Sequence, residues 1–255
     1  MARKQKETSL SAPYLKRIWL DDALVTDKAA YPYSLPLLQQ PFELRFEHPI
    51  TIFIGENGAG KSTLLEGIAA VAGYDESGGG KGYRPVDHSR ALDKSGSALA
   101  KAFRAAWLPK VTNGWFFRAE SFFSVARYLD EAALDGGGAP PDYLSQSHGE
   151  GFLTFFEERC QRQGIYIFDE PESALSPMRQ LEFLKLLRRM ELSRRCQVIM
   201  ATHSTLLMAY PGAALLQVTQ EGLVPADVER TEHFSIMREF CDNPALYIET
   251  VLADV

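Results

Sequence analysis

An α/β fold with a mostly parallel core sheet flanked by helices is what this sequence predicts, and three observations carry the prediction. First, Ile50-Thr51-Ile52-Phe53-Ile54 is an unbroken apolar run that enters a glycine-rich loop and leaves it through a helical pattern, Ser62 to Ile68. Strand, loop and helix in that order form the opening half of an α/β unit. Second, Ile165–Phe168 and Gln197–Ala201 are short apolar runs without alternation, as expected of strands buried on both faces. Third, helical patterns separate these runs, and alternating strands and helices assemble into a sheet covered on both sides.

Residues 1–12 are polar and basic and read as a frayed tail. Tyr14–Leu20 alternates enough to be a strand. Leu35–Gln40, interrupted by Pro32, Pro36 and Pro41, reads as loop, and Phe42–Phe46 as a half-buried strand. The glycine-loop unit extends to about Gly73. Residues 75–113 form the least regular stretch, with Gly78-Gly79-Gly80 and Gly82 followed by a helix over Ala98–Trp107. Trp115–Arg118 reads as a buried strand. Glu120–Ala133 spaces Phe122, Phe123, Ala126, Leu129 and Ala133 as a helix would, and Gly136–Pro141 is a flexible break.

After that break, Phe152–Arg162 is helical. Ser176 stands as N-cap with Pro177 at the first helical position of a helix reaching about Leu192. Ala214–Val218 and Leu223–Val224 flank Glu221-Gly222 as a hairpin. From Thr231 the pattern is helical, divided into two helices by Pro244.

Composition bounds the class. The 255 residues are 45 % hydrophobic and 24 % charged with a net charge of −6, ordinary for a soluble globular protein and unlike a nucleic-acid or membrane binder as a whole. Locally the balance reverses: between Asp75 and Ala119 eight Lys or Arg stand against four Asp or Glu. Cys160, Cys196 and Cys241 are scattered, with neither a disulfide framework nor zinc-ligand spacing, which fits a reducing compartment. No apolar run is long enough for a signal peptide or a membrane span. The expectation is a soluble, cytoplasmic protein without membrane insertion.

The glycine loop carries the chemistry. Gly55-Glu56-Asn57-Gly58-Ala59-Gly60-Lys61-Ser62-Thr63 is a complete G-x-x-x-x-G-K-[ST] phosphate-binding loop in the strand-to-helix setting the motif requires. Its glycines allow backbone N–H groups to wrap a polyphosphate, and the following helix adds free donors and the positive end of its dipole. Lys61 then reaches the β- and γ-phosphates, and the Ser62 hydroxyl sits on Mg²⁺. The strand Ile165–Phe168 ends in two adjacent acids, Asp169 and Glu170. At the end of a strand neighbouring the loop strand they stand beside the phosphates. Asp169 then belongs to the Mg²⁺ shell and Glu170 polarises the attacking water.

The ordered set of phosphate loop, Ser147-His148-Gly149-Glu150-Gly151, Asp169-Glu170-Pro171, Ser173-Ala174-Leu175-Ser176 and His203 resembles the motifs of ABC-class ATPases. Within that class it is most similar to small, soluble, stand-alone ATPases, often labelled AAA-family and related to RecF and SMC heads. The resemblance spans about Tyr31 to His203. It implies one ATPase domain over residues 1–255, a P-loop NTPase of the ABC head type. A small N-terminal antiparallel β part and a helical signature subdomain accompany the core sheet, and residues 75–150 form an irregular, partly helical insertion ending in the signature. It also implies that Ser147 and the Gly149 backbone contact the γ-phosphate of ATP held by an opposite subunit. The Ser173–Ser176 turn lies where two subunits meet, and His203 senses the γ-phosphate.

Departures from the pattern are specific. His148 and Glu150 stand where the signature has Gly and Gln, and Ser176 where the turn ends in Asp. No glutamine follows Phe117; Arg118 and Glu120 are there, with Glu120 the candidate substitute. Tyr31 and Tyr33 are candidates to stack an adenine. The interval from Lys61 to Asp169 is too short for the coiled-coil arms of SMC proteins. The resulting expectation is an ATP- and Mg²⁺-dependent homodimer that associates and dissociates with hydrolysis, with a DNA or protein partner in repair or defence. The nucleotide-binding subunit of a transporter and a non-hydrolysing ATP-gated switch remain alternatives.

Overall fold

In the computed structural model, which describes residues 7–76, 78–81, 95–119 and 148–253, the chain builds two sheets. In order it forms β1 (Leu15–Leu20), α1 (Pro36–Gln39), β2 (Glu43–Arg45), β3 (Ile50–Ile54), α2 (Lys61–Ala72), α3 (Ser95–Ala102), β4 (Phe103–Trp107) and β5 (Gly114–Arg118). Then come α4 (His148–Arg159), β6 (Gly164–Asp169), α5 (Pro177–Ser193), β7 (Cys196–Ala201) and α6 (Thr205–Met208). The hairpin β8 (Ala213–Thr219) and β9 (Gly222–Pro225) precedes α7 (Glu232–Asp242) and α8 (Pro244–Ala253).

The large sheet runs β5-β6-β7-β3-β8-β9, parallel except for the antiparallel β8–β9 hairpin. The small sheet, β2-β1-β4, is antiparallel. This is the α/β architecture expected of the sequence. The period-2 rule sorts the buried strands onto two faces. Phe53, Ile165, Ile167, Ile199 and Ala201 join one core with α2, α3 and the small sheet. Ile52, Tyr166, Phe168, Val198 and Met200 join the other, with α4, α5 and α6.

A group of phenylalanines lies at the centre of that second core. Phe117 of β5 stacks on Phe168 of β6 at 4.8 Å, and Phe156 of α4 meets both edge-on at 4.4 and 5.0 Å. Phe183 of α5 closes the group against Phe168 at 5.1 Å. These pairings lock α4 and α5 to the strands whose ends carry Arg118 and Asp169.

Several elements differ from the sequence reading. The Leu35–Gln40 segment, expected as loop, contains α1: Pro36 occupies the first helical turn, where a missing N–H costs nothing. The helix expected over Ala98–Trp107 stops at Ala102. Phe103–Trp107 instead pairs with β1, and Phe103 stacks on Phe42 at 5.6 Å, so sheet partners override the helix-forming alanines. Residues 7–12, read as frayed, are tied down. Gln163 accepts from the Thr8 N–H at 2.8 Å and donates to its carbonyl at 2.9 Å, and the Ala12 N–H bonds to the Arg194 carbonyl. A buried side chain joins the two sheets: Gln197 accepts from the Tyr14 and Leu15 N–H groups and donates to the Leu15 carbonyl. The expected helix over Glu120–Ala133 and the break at Gly136–Pro141 lie outside the described residues. No helix among the described residues is long and apolar enough to cross a membrane.

Candidate active site

The loop after β3 turns through positive φ at Gly55 (142°), Gly58 (78°) and Gly60 (96°) before α2 begins at Lys61. Two of these positions have no room for a side chain. A Cβ on Gly55 would lie 2.9 Å from the Val218 carbonyl oxygen, and one on Gly60 would lie 2.9 Å from Leu37 Cδ2, so β8 and α1 back the loop directly. Glu56, Asn57 and Gly58 are exposed, Ala59 is half-buried, and the buried Thr63 lies further in. The first N–H groups of α2 are left without intrahelical partners at this end, the usual condition for anion binding.

Lys61 is only 4 % exposed. Its Nζ donates to the Gly55 and Glu56 carbonyls, each at 2.8 Å, which folds the ammonium back under the loop. Burial lowers its pKa, and the charges of Glu170, Asp169 and Glu172 oppose that shift.

Asp169 ends β6, and Ser62 Oγ donates to its Oδ1 at 3.0 Å. The sequence reading made β6 a neighbour of the loop strand; in the structure β7 lies between them. The carboxylate still reaches Ser62 because both β3 and β6 end at the same edge of the sheet. Arg118, at the end of β5, brings its Nε to 3.4 Å from Asp169 Oδ2 and donates from Nη1 to Glu66 Oε1 at 2.8 Å and the Glu76 carbonyl at 3.3 Å. The side chain at the missing-glutamine position is therefore an ion-paired guanidinium; Glu120 lies outside the described residues.

Burial raises the Asp169 pKa from 3.8 to about 6, against the opposing pull of Arg118 and the Ser62 hydroxyl. A folded pKa above the unfolded one means that ionisation costs stability. The cost is absent below the unfolded pKa, grows as pH rises towards about 6, and is complete above it. In EDTA and without nucleotide, Asp169→Asn is therefore expected to raise stability at pH 7.5 by on the order of 2 kcal/mol, with little gain at pH 4. Urea unfolding at both pH values measures this, and equal effects at both would refute it.

Glu170 follows in the left-handed region, at φ 47° and ψ 57°. That conformation, costing about 1–2 kcal/mol for a non-glycine residue, is held from both sides. Its N–H donates to the Ala201 carbonyl, and its own carbonyl accepts from the Ser173 N–H and Oγ. The result aims the Glu170 carboxylate, 41 % exposed, at His203, with Oε1 3.6 Å from Nε2.

His203 lies just beyond β7, and its N–H donates to Glu172 Oε1 at 2.5 Å. Its Nδ1 is 3.4 Å from Nε2 of His233, in the first turn of α7. Its Nε2 is buried with no hydrogen-bond partner among the described residues. Burial and then Lys61 lower its pKa, so the ring is neutral near pH 7. Neither Glu172 nor His233 emerged from the sequence. Glu172 lies within the Asp169–Ser173 run and its acidity was a usable signal. His233 is 30 residues downstream of His203 on another element, and no local pattern marks it.

Other expected residues separate clearly. Tyr33 is core, its hydroxyl donating to the Ala98 carbonyl at 2.7 Å. Tyr31 is 53 % exposed with its hydroxyl 2.6 Å from Thr63 Oγ1, which keeps it as the adenine candidate of the two. Ser147 lies outside the described residues; Gly149 falls in the first turn of α4. Glu150 is paired with Arg179 at 3.6 Å, linking the start of α4 to α5 beyond the Ser173–Ser176 turn. Ser176 caps α5, accepting from the Arg179 N–H at 3.4 Å. Of the basic stretch, Lys81 donates to Thr112 Oγ1 at 3.3 Å, while Arg84, Arg90 and Lys94 lie outside the described residues.

Comparison with known proteins agrees with this geometry. Residues 33–104 match a family described as an AAA domain. Residues 150–209 match a second AAA-domain family, whose description names a putative AbiEii toxin of a type IV toxin–antitoxin system. The chain is 28 % identical over 206 residues, 71 % of its length and 80 % of the other's, to the thiamine import ATP-binding protein ThiQ of Vibrio parahaemolyticus serotype O3:K6 (strain RIMD 2210633). It is 26 % identical over 212 residues, 72 % of its length and 80 % of the other's, to a probable amino-acid ABC transporter ATP-binding protein, y4tH, of Sinorhizobium fredii (strain NBRC 101917 / NGR234). A solved structure described as a putative metal-chelate type ABC transporter in an inward-facing conformation superposes with a TM-score of 0.49 at 15 % identity, over 88 % of each chain. With a complete phosphate loop, an acidic strand end and these sequence relatives together, the chain is an ATP-binding P-loop protein of the ABC class of ATPases.

Proposed function

We propose that the chain hydrolyses ATP, and that two copies pair head to tail around two nucleotides so that hydrolysis drives a cycle of association and release. One observation supports this above the others: Lys61, Ser62, Asp169, Glu170 and His203 converge at the common edge where β3, β6 and β7 end. Ser62 Oγ and the Asp169 carboxylate, 3.0 Å apart, are hard oxygen donors of the kind Mg²⁺ takes. When bound, Mg²⁺ neutralises charge on the phosphate oxygens.

Every other role belongs to the chain. Backbone N–H groups of residues 55–63 cradle the phosphates, and Lys61 adds a buried positive charge below them. Glu170 orients a water and takes its proton, and its exposure leaves that water a path from solvent. His203 Nε2, buried and unbonded among the described residues, faces the same space. The opposite copy contributes Ser147 and the Gly149 backbone, and the Ser173–Ser176 turn meets its counterpart. Phosphate release from ATP and Mg²⁺ by the purified chain, with light scattering in ATP and in ADP, tests the reading. A protein that stays monomeric in ATP defeats the pairing, and one that releases no phosphate defeats the hydrolysis.

The named relatives favour a second reading, the nucleotide-binding subunit of a membrane transporter. Transporter subunits usually carry a glutamine where this chain places Arg118, and that side chain is engaged by Glu66 and Asp169. Recovery of a specific permease with the tagged chain from detergent-solubilised membranes would favour this second reading.

A further inference from the structure

We infer that His233 is a positioning residue for His203: its Nε2–H donates to His203 Nδ1 and thereby fixes the proton of His203 on Nε2, aimed at Glu170 and the space above Lys61. The effect on turnover rests on the hydrolytic reading, whereas the geometry stands independently of it.

A neutral imidazole has one N–H donor and one bare acceptor nitrogen. The His203 and His233 nitrogens face each other at 3.4 Å, so one of the two must supply the hydrogen. If His203 donated from Nδ1, its bare Nε2 would point at Glu170 Oε1, 3.6 Å away, acceptor against carboxylate, and the nitrogen itself is buried from solvent. If His233 donates instead, His203 Nδ1 accepts and Nε2–H points at the carboxylate, which is attractive. The charged and titratable groups around His203, namely Lys61, Glu170, Glu172 and His233, are compatible with that second arrangement.

Local structure holds both rings. Glu172 fixes the His203 backbone through the 2.5 Å bond to its N–H. On the other side, Thr231 is the N-cap of α7, accepting from the Phe234 N–H at 3.2 Å and donating to the Val228 carbonyl at 2.7 Å. That cap sets the first turn of α7, and with it the half-buried His233. His203 is thus gripped at its backbone by the β6-to-α5 turn and at its ring by the C-terminal helical region. The consequence is a preorganised donor: the Nε2–H need not choose a tautomer when the γ-phosphate arrives.

The test uses the full-length chain with ¹⁵N-labelled histidine. Long-range ¹H–¹⁵N spectra of the nucleotide-free protein report which His203 nitrogen carries the proton. Protonated Nε2 is expected in the wild type, with a mixture of tautomers in His233→Leu. Steady-state kinetics should show kcat lowered about 30-fold in His233→Leu with KM for ATP changed less than about threefold, a size typical of lost outer-shell support. His233→Gln, which retains an amide donor at similar reach, is expected to recover kcat to within about threefold of wild type. Protonated Nδ1 in the wild type overturns the inference without any variant. An unchanged tautomer or unchanged kcat in His233→Leu overturns it also. If the wild type releases no phosphate, the proposed hydrolysis fails while the tautomer measurement still decides the role of His233.

Discussion

Replacing Glu170 by glutamine is expected to lower phosphate release at least about 100-fold, the range seen when a positioned general base is lost, while ATP still binds. The physical reason is narrow. The side chain keeps its size, and the left-handed backbone at 170 is held by the Ala201 and Ser173 contacts, which do not involve the carboxylate. What disappears is the ability to accept a proton from water. If the two-copy cycle is correct, the paired state then accumulates, because its release depends on hydrolysis. Light scattering should show twice the monomer mass in ATP and Mg²⁺ for Glu170→Gln, and a mixture for the wild type as nucleotide is consumed. Wild-type turnover by Glu170→Gln would remove Glu170 from the chemistry.

Lys61→Met is expected to produce the opposite pattern: no accumulation, because nucleotide no longer binds. Lys61 Nζ sits 2.8 Å from two backbone carbonyls, and no carboxylate pairs with it among the described residues, so its charge is held mainly by dipoles. Burial already lowers its pKa. A triphosphate supplies the anion this buried ammonium lacks, and charge-assisted hydrogen bonds contribute about 1.5–3 kcal/mol each. Removing two such bonds lowers ATP affinity at least about 100-fold. The fold should survive, since methionine follows the same apolar path and removes a desolvated charge. Calorimetric titration with ATP, alongside thermal unfolding, measures both. Affinity within about threefold of wild type would show that Lys61 touches no phosphate.

What was legible in the sequence was whatever chemistry is contiguous. The loop from Gly55 to Thr63 announces itself because a polyphosphate needs its glycines and lysine at fixed spacing on one turn. The acidic end of β6 announces itself because an apolar strand ends abruptly in two carboxylates. Structure departs from sequence pattern wherever the deciding partner is distant. Phe103–Trp107 has enough alanine to pass for helix, and only the β1 edge and Phe42 make it a strand. Pro36 sits among prolines that suggest a break, although proline also starts helices. The insertion of β7 between β3 and β6 is a matter of topology, and no local pattern encodes it. His233 joins the site through a contact between residues 30 apart. Arg118 was visible as a departure, but its pairing with Asp169 and Glu66 required the fold.

The phenylalanine stack has a mechanical consequence. Close-packed rings resist shear, because sliding one past another opens voids that nothing fills. Phe156 packs edge-on against the stacked pair of Phe117 and Phe168, so α4 and the tips of β5 and β6 travel as a solid block. The lip that would grip a neighbour's nucleotide and the floor that holds its own are cast in one piece. In the pair proposed above, such a jaw does not open by bending within itself; the parting line runs between molecules.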